Sequence, residues 1–407
     1  MRVTSLLRTL LDLKQTVVRA FEFTEDGLLV HVAPTTRKAR CGCCGRAGPG
    51  YDERPRSWRH LDFAGMRVVL QYSIRRVECS RCGVTTEFVP WAPHGSGFTY
   101  DFEQTVGLLA QKADKTTVCG LMGIAWATVG NIMDRVVERF GPKDLLDGLT
   151  QIGIDEISYR RHHHYLTIVT DHVRGRVVWV GRGRNADTVR EFFDALGDER
   201  SAKLKLVTVD LSGSFISAVK EKAPAAKLVF DRFHVQRLAH DALDEVRRAQ
   251  ARELRGSDEA VALKHSRWAL QKNPWNLTLQ ESQKLAEVQR TNHTLYRAYM
   301  LKESLCSILD GKQPNVARRR LDEWLGWAQR CRLPAFCKLG RTIKKHVDGI
   351  VEYVRTGLSN GRSEGVNSKV RTVTKRSYGF GSPSSLIAYI HLCCSGIRLQ
   401  PVRHYPT

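Results

Sequence analysis

The chain has 407 residues, 42% hydrophobic and 26% charged, with 13 prolines and 32 glycines; it is long enough for two or more folded domains and is neither disordered nor collagen-like. Lysine and arginine number 64 against 42 acids, a net charge of +22, which favours a polyanionic partner over a small acidic metabolite. Nucleic acid is therefore the leading candidate.

The opening MRVTSLLRTLLDLKQTVV interrupts its apolar residues with Arg8, Asp12 and Lys14 and lacks the small-residue cleavage site of a secretory signal. Up to about residue 95, short alternating runs such as Arg67 to Glu78 predict a β-rich module. It carries Cys41-x2-Cys44 and, after 34 residues, Cys79-x2-Cys82, and glycine follows each pair, Gly45 and Gly83. Two residues between thiolates let one tight turn present both sulfurs to a tetrahedral ion, and the glycine permits the positive φ such a turn often needs. The pattern predicts one structural Zn²⁺ on Cys41, Cys44, Cys79 and Cys82, with Cys43 as a spare; free buried thiols are the competing reading. Eleven scattered cysteines otherwise suit a reducing compartment, so a cytoplasmic location is expected.

From Asp101 to Phe140 the period becomes helical. A pattern over Asp101 to Lys112 is followed by Lys115 to Leu121, a break at Gly123, and then Trp126, Val129, Ile132, Met133, Val136, Val137 and Phe140 at spacings of three and four. That stripe must be buried. Opposite it lie Thr128, Asn131, Arg135 and Arg139, short polar groups and then cations, which suit base edges and phosphates in a major groove. An ordinary amphipathic helix with a solvated face is the alternative; the basic charge and the neighbouring zinc module favour a helix-turn-helix.

Between Gln151 and Phe230 the runs QIGIDEIS, HYLTIVTDH, GRVVWVG, LKLVTVD and KLVFD read as strands. Helical patterns at Asp187 to Leu196 and Ser214 to Lys222 lie between the last three, which predicts an α/β core. From His234 to about Glu352 almost everything reads as helix, with turn signals at Gly256, Asn273-Pro274 and Gly311, an all-helical insertion. A basic segment, Ser359 to Gly381, precedes a last helical run. Its apolar stretch from Leu386 to Ile397 is only 12 residues and contains His391, too short to span a bilayer, so no membrane partner is expected.

Three acids stand at the ends of predicted strands or on a helix: Asp155 after Ile152-Gly153-Ile154, Asp210 after Leu204 to Val209, and Glu364 in SNGRSEGVNSKVR. Converged, they are what two Mg²⁺ ions require to clamp a phosphodiester. Two carboxylates about 4 Å apart repel by about 4 kcal/mol at an effective dielectric of 20, so such a cluster holds protons unless a cation joins it. For a lone strand-end aspartate, capping of the next helix is the competing role. If the Glu364 segment is helical, Asn367, Arg371 and Lys375 share its face, placing phosphate-holding groups behind the acid. From Arg355 to Ser377 there are six basic residues and Glu364 is the only acid. Gly311 to Lys345 carries ten lysines or arginines interleaved with Trp324 and Trp327, a mixture that suits distorted DNA, although tryptophans at that spacing are more often core.

In combination, the CxxC pairs, the helix-turn-helix, GIDEIS, VTVDLSGSFISAV, VFDRFHVQRL, the helical insertion and SNGRSEGVNSKVRTVTKRSYGF resemble the ISL-three family of bacterial insertion-sequence transposases over nearly the whole chain. The resemblance implies a multidomain α/β protein with a ribonuclease-H-like catalytic core of the DDE type, interrupted by a helical insertion. Its first Asp is matched by Asp155, its second by Asp210 and its Glu by Glu364. Asp231-x2-His234 also matches a family pattern: Asp231 is the runner-up for the second acid, and a role behind the acids or in positioning DNA stands beside a bland one in which Asp231 caps a helix and His234 packs on the sheet. His162, His163 and His164 are expected at a hairpin loop near DNA, not at a second metal.

The domains expected are 1–97 for the zinc module, 98–145 for the helix-turn-helix, 146–238 and 353–407 for the two parts of the core, and 239–352 for the insertion. The function expected is binding of an element's terminal repeats and metal-dependent cleavage and strand transfer, with two Mg²⁺ (Mn²⁺ possible) and one Zn²⁺. The partners are double-stranded DNA and, in the active complex, a second copy or more of the chain, at the nucleoid when DNA-bound. The alternatives are a non-catalytic DNA-binding regulator and a structure-specific nuclease with the same core.

Overall fold

The structure is a computed structural model that describes residues 3–402 apart from 161–163, 258–259, 261–262, 359–360 and 377–381. It divides into two compact units, residues 1–142 with 373–407, and residues 143–372. The expected core segment 353–407 is thus split at residue 373.

In the first unit a short helix that the β-rich reading did not anticipate, α1 (Val3–Leu10), precedes five strands: β1 (Thr16–Thr24), β2 (Gly27–Pro34), β3 (Gly50–Arg59), β4 (Val68–Cys79) and β5 (Gly83–Thr86). Their order is β1-β2-β4-β3, with β5 also pairing β4. Alternation puts Val68, Leu70 and Ile74 of β4 in a core with Val30, Val32, Trp58 and Trp91, and the two indoles meet edge to face at 5.5 Å.

Three helices follow, α2 (Tyr100–Lys112), α3 (Lys115–Met122) and α4 (Trp126–Phe140). Thr99 caps α2 by accepting from the Phe102 amide, and Asp114 caps α3 by accepting from that of Thr117. Gly123, at φ +60°, ends α3. The last helix of the chain, Pro383–Cys394, also belongs to this unit: the Tyr389 hydroxyl donates to the carbonyl of Ala110, and the Gln111 amide donates to those of Leu392 and Ile397. The apolar run that falls short of a membrane span is therefore a core helix. Among the described residues no single helix is long and apolar enough to cross a membrane.

The second unit is built on β6 (Gln151–Arg160), β7 (His164–Asp171), β8 (Arg176–Arg182), β9 (Leu206–Val209) and β10 (Lys227–Phe230), in the order β10-β9-β6-β7-β8. β6, β7 and β8 form an antiparallel meander, while β9 and β10 run parallel to β6. The parallel connections carry α5 (Ala186–Leu196) with the single turn α6 (Asp198–Ser201), and α7 (Gly213–Lys222). All four residues of β9 are buried, as a central strand covered on both faces requires.

After β10 come α8 (Arg232–Glu253), α9 (Arg267–Gln271), a 3₁₀ turn at Pro274–Asn276, α10 (Leu279–Thr291), α11 (His293–Leu309), α12 (Pro314–Arg330), α13 (Pro334–Thr356) and α14 (Gly361–Arg376). Breaks fall at the expected signals, Gly256 after α8, Asn273 capping the 3₁₀ turn and Gly311 between α11 and α12; prolines, which the sequence reading did not single out, open α12 and α13. Trp324 is core, 2% exposed, with its indole N–H donating to the Leu301 carbonyl, and Trp327 packs against the same core. Trp324 is not free to stack on DNA and Trp327 is half-buried; the exposed tryptophans in this segment are Trp268 and Trp275. The last helix, Pro383–Cys394, is α15.

Candidate active site and DNA-binding modules

Cys41 and Cys44 lie on a turn closed by the Arg40–Ala47 bridge, and Cys79 and Cys82 on the β4–β5 hairpin. Gly45 and Gly83 adopt φ of +74° and +72°, the conformation expected of glycine after each pair. The four sulfurs lie within 4.8 Å of one another, with Cys44 and Cys79 3.5 Å apart. Burial opposes ionisation of Cys41, yet the amides of Cys44 and Cys43 hold its thiol down at about 6, and the amides of Arg81 and Cys82 lower Cys79. Cys82 is pushed up to about 12, by its hydrogen bond with Cys44 and by burial. Sulfurs so crowded cannot all ionise without a cation, and backbone amides already favour the thiolates; the set fits a structural Zn²⁺. Cys43 stands outside it, exposed, with its sulfur 3.4 Å from His94 Nε2.

In the helix-turn-helix, Val129, Ile132, Met133 and Val136 are buried as the stripe predicts. Val137 and Phe140 are half-buried, and Trp126 is 38% exposed with the Lys115 ammonium 4.0 Å from its ring centroid, so the expectation of a buried Trp126 is corrected. Asn131 is exposed and Thr128 half-buried. Arg135 does not face outward freely: it pairs at 2.6 Å with Glu103, a carboxylate 1% exposed that also accepts from Ser96. The guanidinium of Arg139 lies 4.1 Å from the Tyr100 ring centroid. Buried charge on α2 attracts the first cation and an aromatic face the second, so both arginines tie α4 to α2.

In the second unit the β6–β9 ladder ends at Gly153–Thr208, while β7 continues beside β6 with Ile168 opposite Asp155. Asp155 therefore lies within β6 and not at its end, a correction to the sequence reading; what ends near it is the parallel ladder. Asp210 follows Val209, the last residue of β9. Both acids stand at the carboxyl edge of the parallel part of the sheet, where open α/β sheets form ligand crevices. Burial pushes the Asp155 carboxyl above its usual range and the charge of Asp210 adds to this, against the Glu156 amide, His234 and Arg371. Asp210 Oδ1 accepts from the Ser212 amide at 3.0 Å.

Glu156, which the sequence reading passed over although it stands in GIDEIS, is raised chiefly by burial, with Arg184 opposing and Asp210 and Asp155 adding. Asp231 is 4% exposed and caps α8, its Oδ1 accepting from the Phe233 amide; this is the bland role. His234, one turn into that helix, is close enough to Asp155 to act on its charge.

Glu364 lies in α14, and its side chain is outside the described residues. Asn367, expected to face DNA, is instead 2% exposed and donates from Nδ2 to Asp155 Oδ2 at 2.6 Å. A buried carboxylate in want of donors outcompetes solvent for that amide. Arg371 and Lys375 further along are exposed. His162 and His163 are outside the described residues; His164 opens β7 and is exposed.

The acids Asp155 and Asp210 and the Asn367 carbonyl oxygen beside them offer hard oxygen donors. Asn367 Oδ1 is buried, with no hydrogen-bond partner among the described residues. Hard oxygen donors around Asp155, a carboxylate that burial pushes above its usual range, fit a hard divalent cation such as Mg²⁺.

The comparisons agree with this reading of the parts. A transposase family model of the ISL3 group matches residues 152–390, the helix-turn-helix domain of transposase family ISL3 matches 87–137, and the zinc-finger of transposase IS204/IS1001/IS1096/IS1165 matches 37–82. The chain is 41% identical to the transposase for insertion sequence element IS1557 of Mycobacterium tuberculosis, over 99% of this chain and 98% of that one. It is 28% identical to the transposase for insertion sequence element IS1001 of Bordetella parapertussis, over 89% and 91%.

A four-cysteine zinc module, a helix-turn-helix and a transposase domain define an insertion-sequence transposase, an enzyme that binds, cuts and transfers DNA. Within that class the chain belongs to transposase family ISL3.

Proposed function

We propose that the chain binds the terminal repeats of its insertion sequence and cuts and joins their strands in a ribonuclease-H-like core whose acids are Asp155, Asp210 and Glu364. The strand order β10-β9-β6-β7-β8, with an antiparallel meander and two parallel strands, supports that core, and α8 to α13 read as its insertion. The observation that carries the proposal is the meeting of Asp155, Asp210 and α14, the helix of Glu364, at one edge of the sheet.

Asp155, Asp210 and Glu364 would hold two Mg²⁺, with Mn²⁺ as a substitute. When bound, the ions supply activation of the attacking oxygen and stabilisation of the departing one. The chain's own groups do the rest. The Glu156 amide fixes one oxygen of Asp155 at 2.8 Å, and Asp231, by capping α8, sets the place of His234 beside Asp155. Arg371 and Lys375 hold phosphates, and Thr128 and Asn131 face the bases. Water and then a 3′ hydroxyl attack directly, so no covalent enzyme intermediate forms. Joining two ends requires at least two copies of the chain in the active complex, and the compartment is the cytoplasm, at the nucleoid when DNA-bound.

The test replaces each acid at nearly constant volume. Asp155→Asn, Asp210→Asn and Glu364→Gln each abolish Mg²⁺-dependent nicking of DNA carrying the element's ends and leave end binding within about twofold. Nicking by the Asp210 variant would shift the second acid to Asp231. Nicking by all three would leave a differently built nuclease, and no nicking by the wild-type chain would leave a non-catalytic regulator.

A further inference from the structure

We infer that Asn367 is a positioning residue that fixes the carboxylate of Asp155 for its divalent cation, and not a DNA contact; this rests on Asp155 being a catalytic acid, as proposed above. Both oxygens of Asp155 are held: Oδ1 accepts from the Glu156 amide at 2.8 Å and Oδ2 from Asn367 Nδ2 at 2.6 Å. The amide orientation follows from the partner, since the flipped amide would set two acceptors against each other. A carboxylate offers about four lone-pair sites, so each oxygen keeps one for a cation while its plane can no longer turn.

The bond spans 212 residues of sequence and ties α14 to β6. Glu364 lies one helical turn before Asn367, so the same bond fixes where the start of α14 stands against the strand of the first acid. Packing does not need the amide. Val370, one turn on, is fully buried, and an apolar residue at position 367 would avoid an Oδ1 that is buried without a partner among the described residues. An asparagine with one buried amide atom unpaired among the described residues, yet with the other bonded to the first acid, is explained by what it does to that acid.

The experiment uses the full chain with Asn367→Leu, which keeps the branched outline at a larger volume and removes both amide atoms, and with Asn367→Ala. Four quantities are measured: calorimetric Mn²⁺ binding without DNA, the Mg²⁺ concentration for half-maximal nicking, melting without added Mg²⁺, and binding of end DNA without added Mg²⁺, with no chelator present so that the zinc module stays folded. We expect cation affinity to fall about 10- to 100-fold and half-saturating Mg²⁺ to rise in parallel. Nicking should recover in part at high Mg²⁺, melting of the leucine variant should be unchanged or higher, and end binding should stay within about twofold.

Unchanged cation affinity in both variants overturns the inference. So does a loss that follows a lowered melting temperature in the leucine variant, or a loss of end binding, which would return Asn367 to the DNA contacts. Asp155→Asn separates the two levels: if it loses Mn²⁺ affinity and nicking while the Asn367 variants keep both, only the positioning role fails. If it keeps both, the assignment of Asp155 fails and the inference with it.

Discussion

Asn131 and Arg135 stand one turn apart on α4, and their neighbours give them opposite work. Asn131 is exposed, whereas Arg135 serves a carboxylate that has no other cation at bonding distance among the described residues. Arg135→Ala leaves Glu103 charged and buried, and should destabilise the first unit by about 3 kcal/mol while leaving the salt dependence of DNA binding unchanged. Asn131→Ala should do the reverse, costing about 1 to 3 kcal/mol on the preferred site alone with no change in melting. Melting curves and salt titrations on specific and random DNA check both; an Arg135 variant that melts normally but binds with a shallower salt slope would restore it to the phosphates.

Among the elements, the zinc turns and α15 give two further predictions. The module around Cys41, Cys44, Cys79 and Cys82 gains on the order of 10 kcal/mol from its ion, so chelation should unfold β1 to β5 and spare the β6–β10 sheet. Cys44→Ser should remove the zinc and Cys43→Ser should keep it. Metal analysis by mass spectrometry decides, and zinc retained by the Cys44 variant would refute the ligand set. In α15, burial pushes His391 down to about 4, so the folded chain keeps it neutral while the unfolded chain takes a proton near 6.5. Its contribution is full above pH 6.5 and is lost as pH falls toward 4, by up to about 3 kcal/mol. His391→Asn should flatten that acid limb in melting curves taken across this range; an equal slope in both proteins would show that His391 is not the group responsible.

These elements also show what the sequence could reveal. Spacing sufficed for the cysteine turns, for α4 and for the strands of the second unit, because periodicity and glycine conformation are local. It failed for Trp126, Arg135 and Asn367, whose surroundings come from other elements: Glu103 for Arg135, Asp155 for Asn367. Asp155 was found as an acid in a strand-like run, but that it sits inside β6 depends on where β9 stops, which no local pattern records.

For the molecule as a whole, a net charge of +22 implies DNA affinity that falls steeply with salt, and the proposed mechanism confines the chemistry to the rim where Asp155, Asp210 and α14 meet. The most direct test maps, at single-nucleotide resolution, the strand cuts and joins made by the wild-type chain on DNA bearing the element's ends, with Mg²⁺ and without. The expected result is cuts at the element boundaries followed by joining through 3′ hydroxyls, only with the cation and never with Asp155→Asn. Cuts scattered without regard to the ends, or end-specific cuts that survive Asp155→Asn, would contradict it.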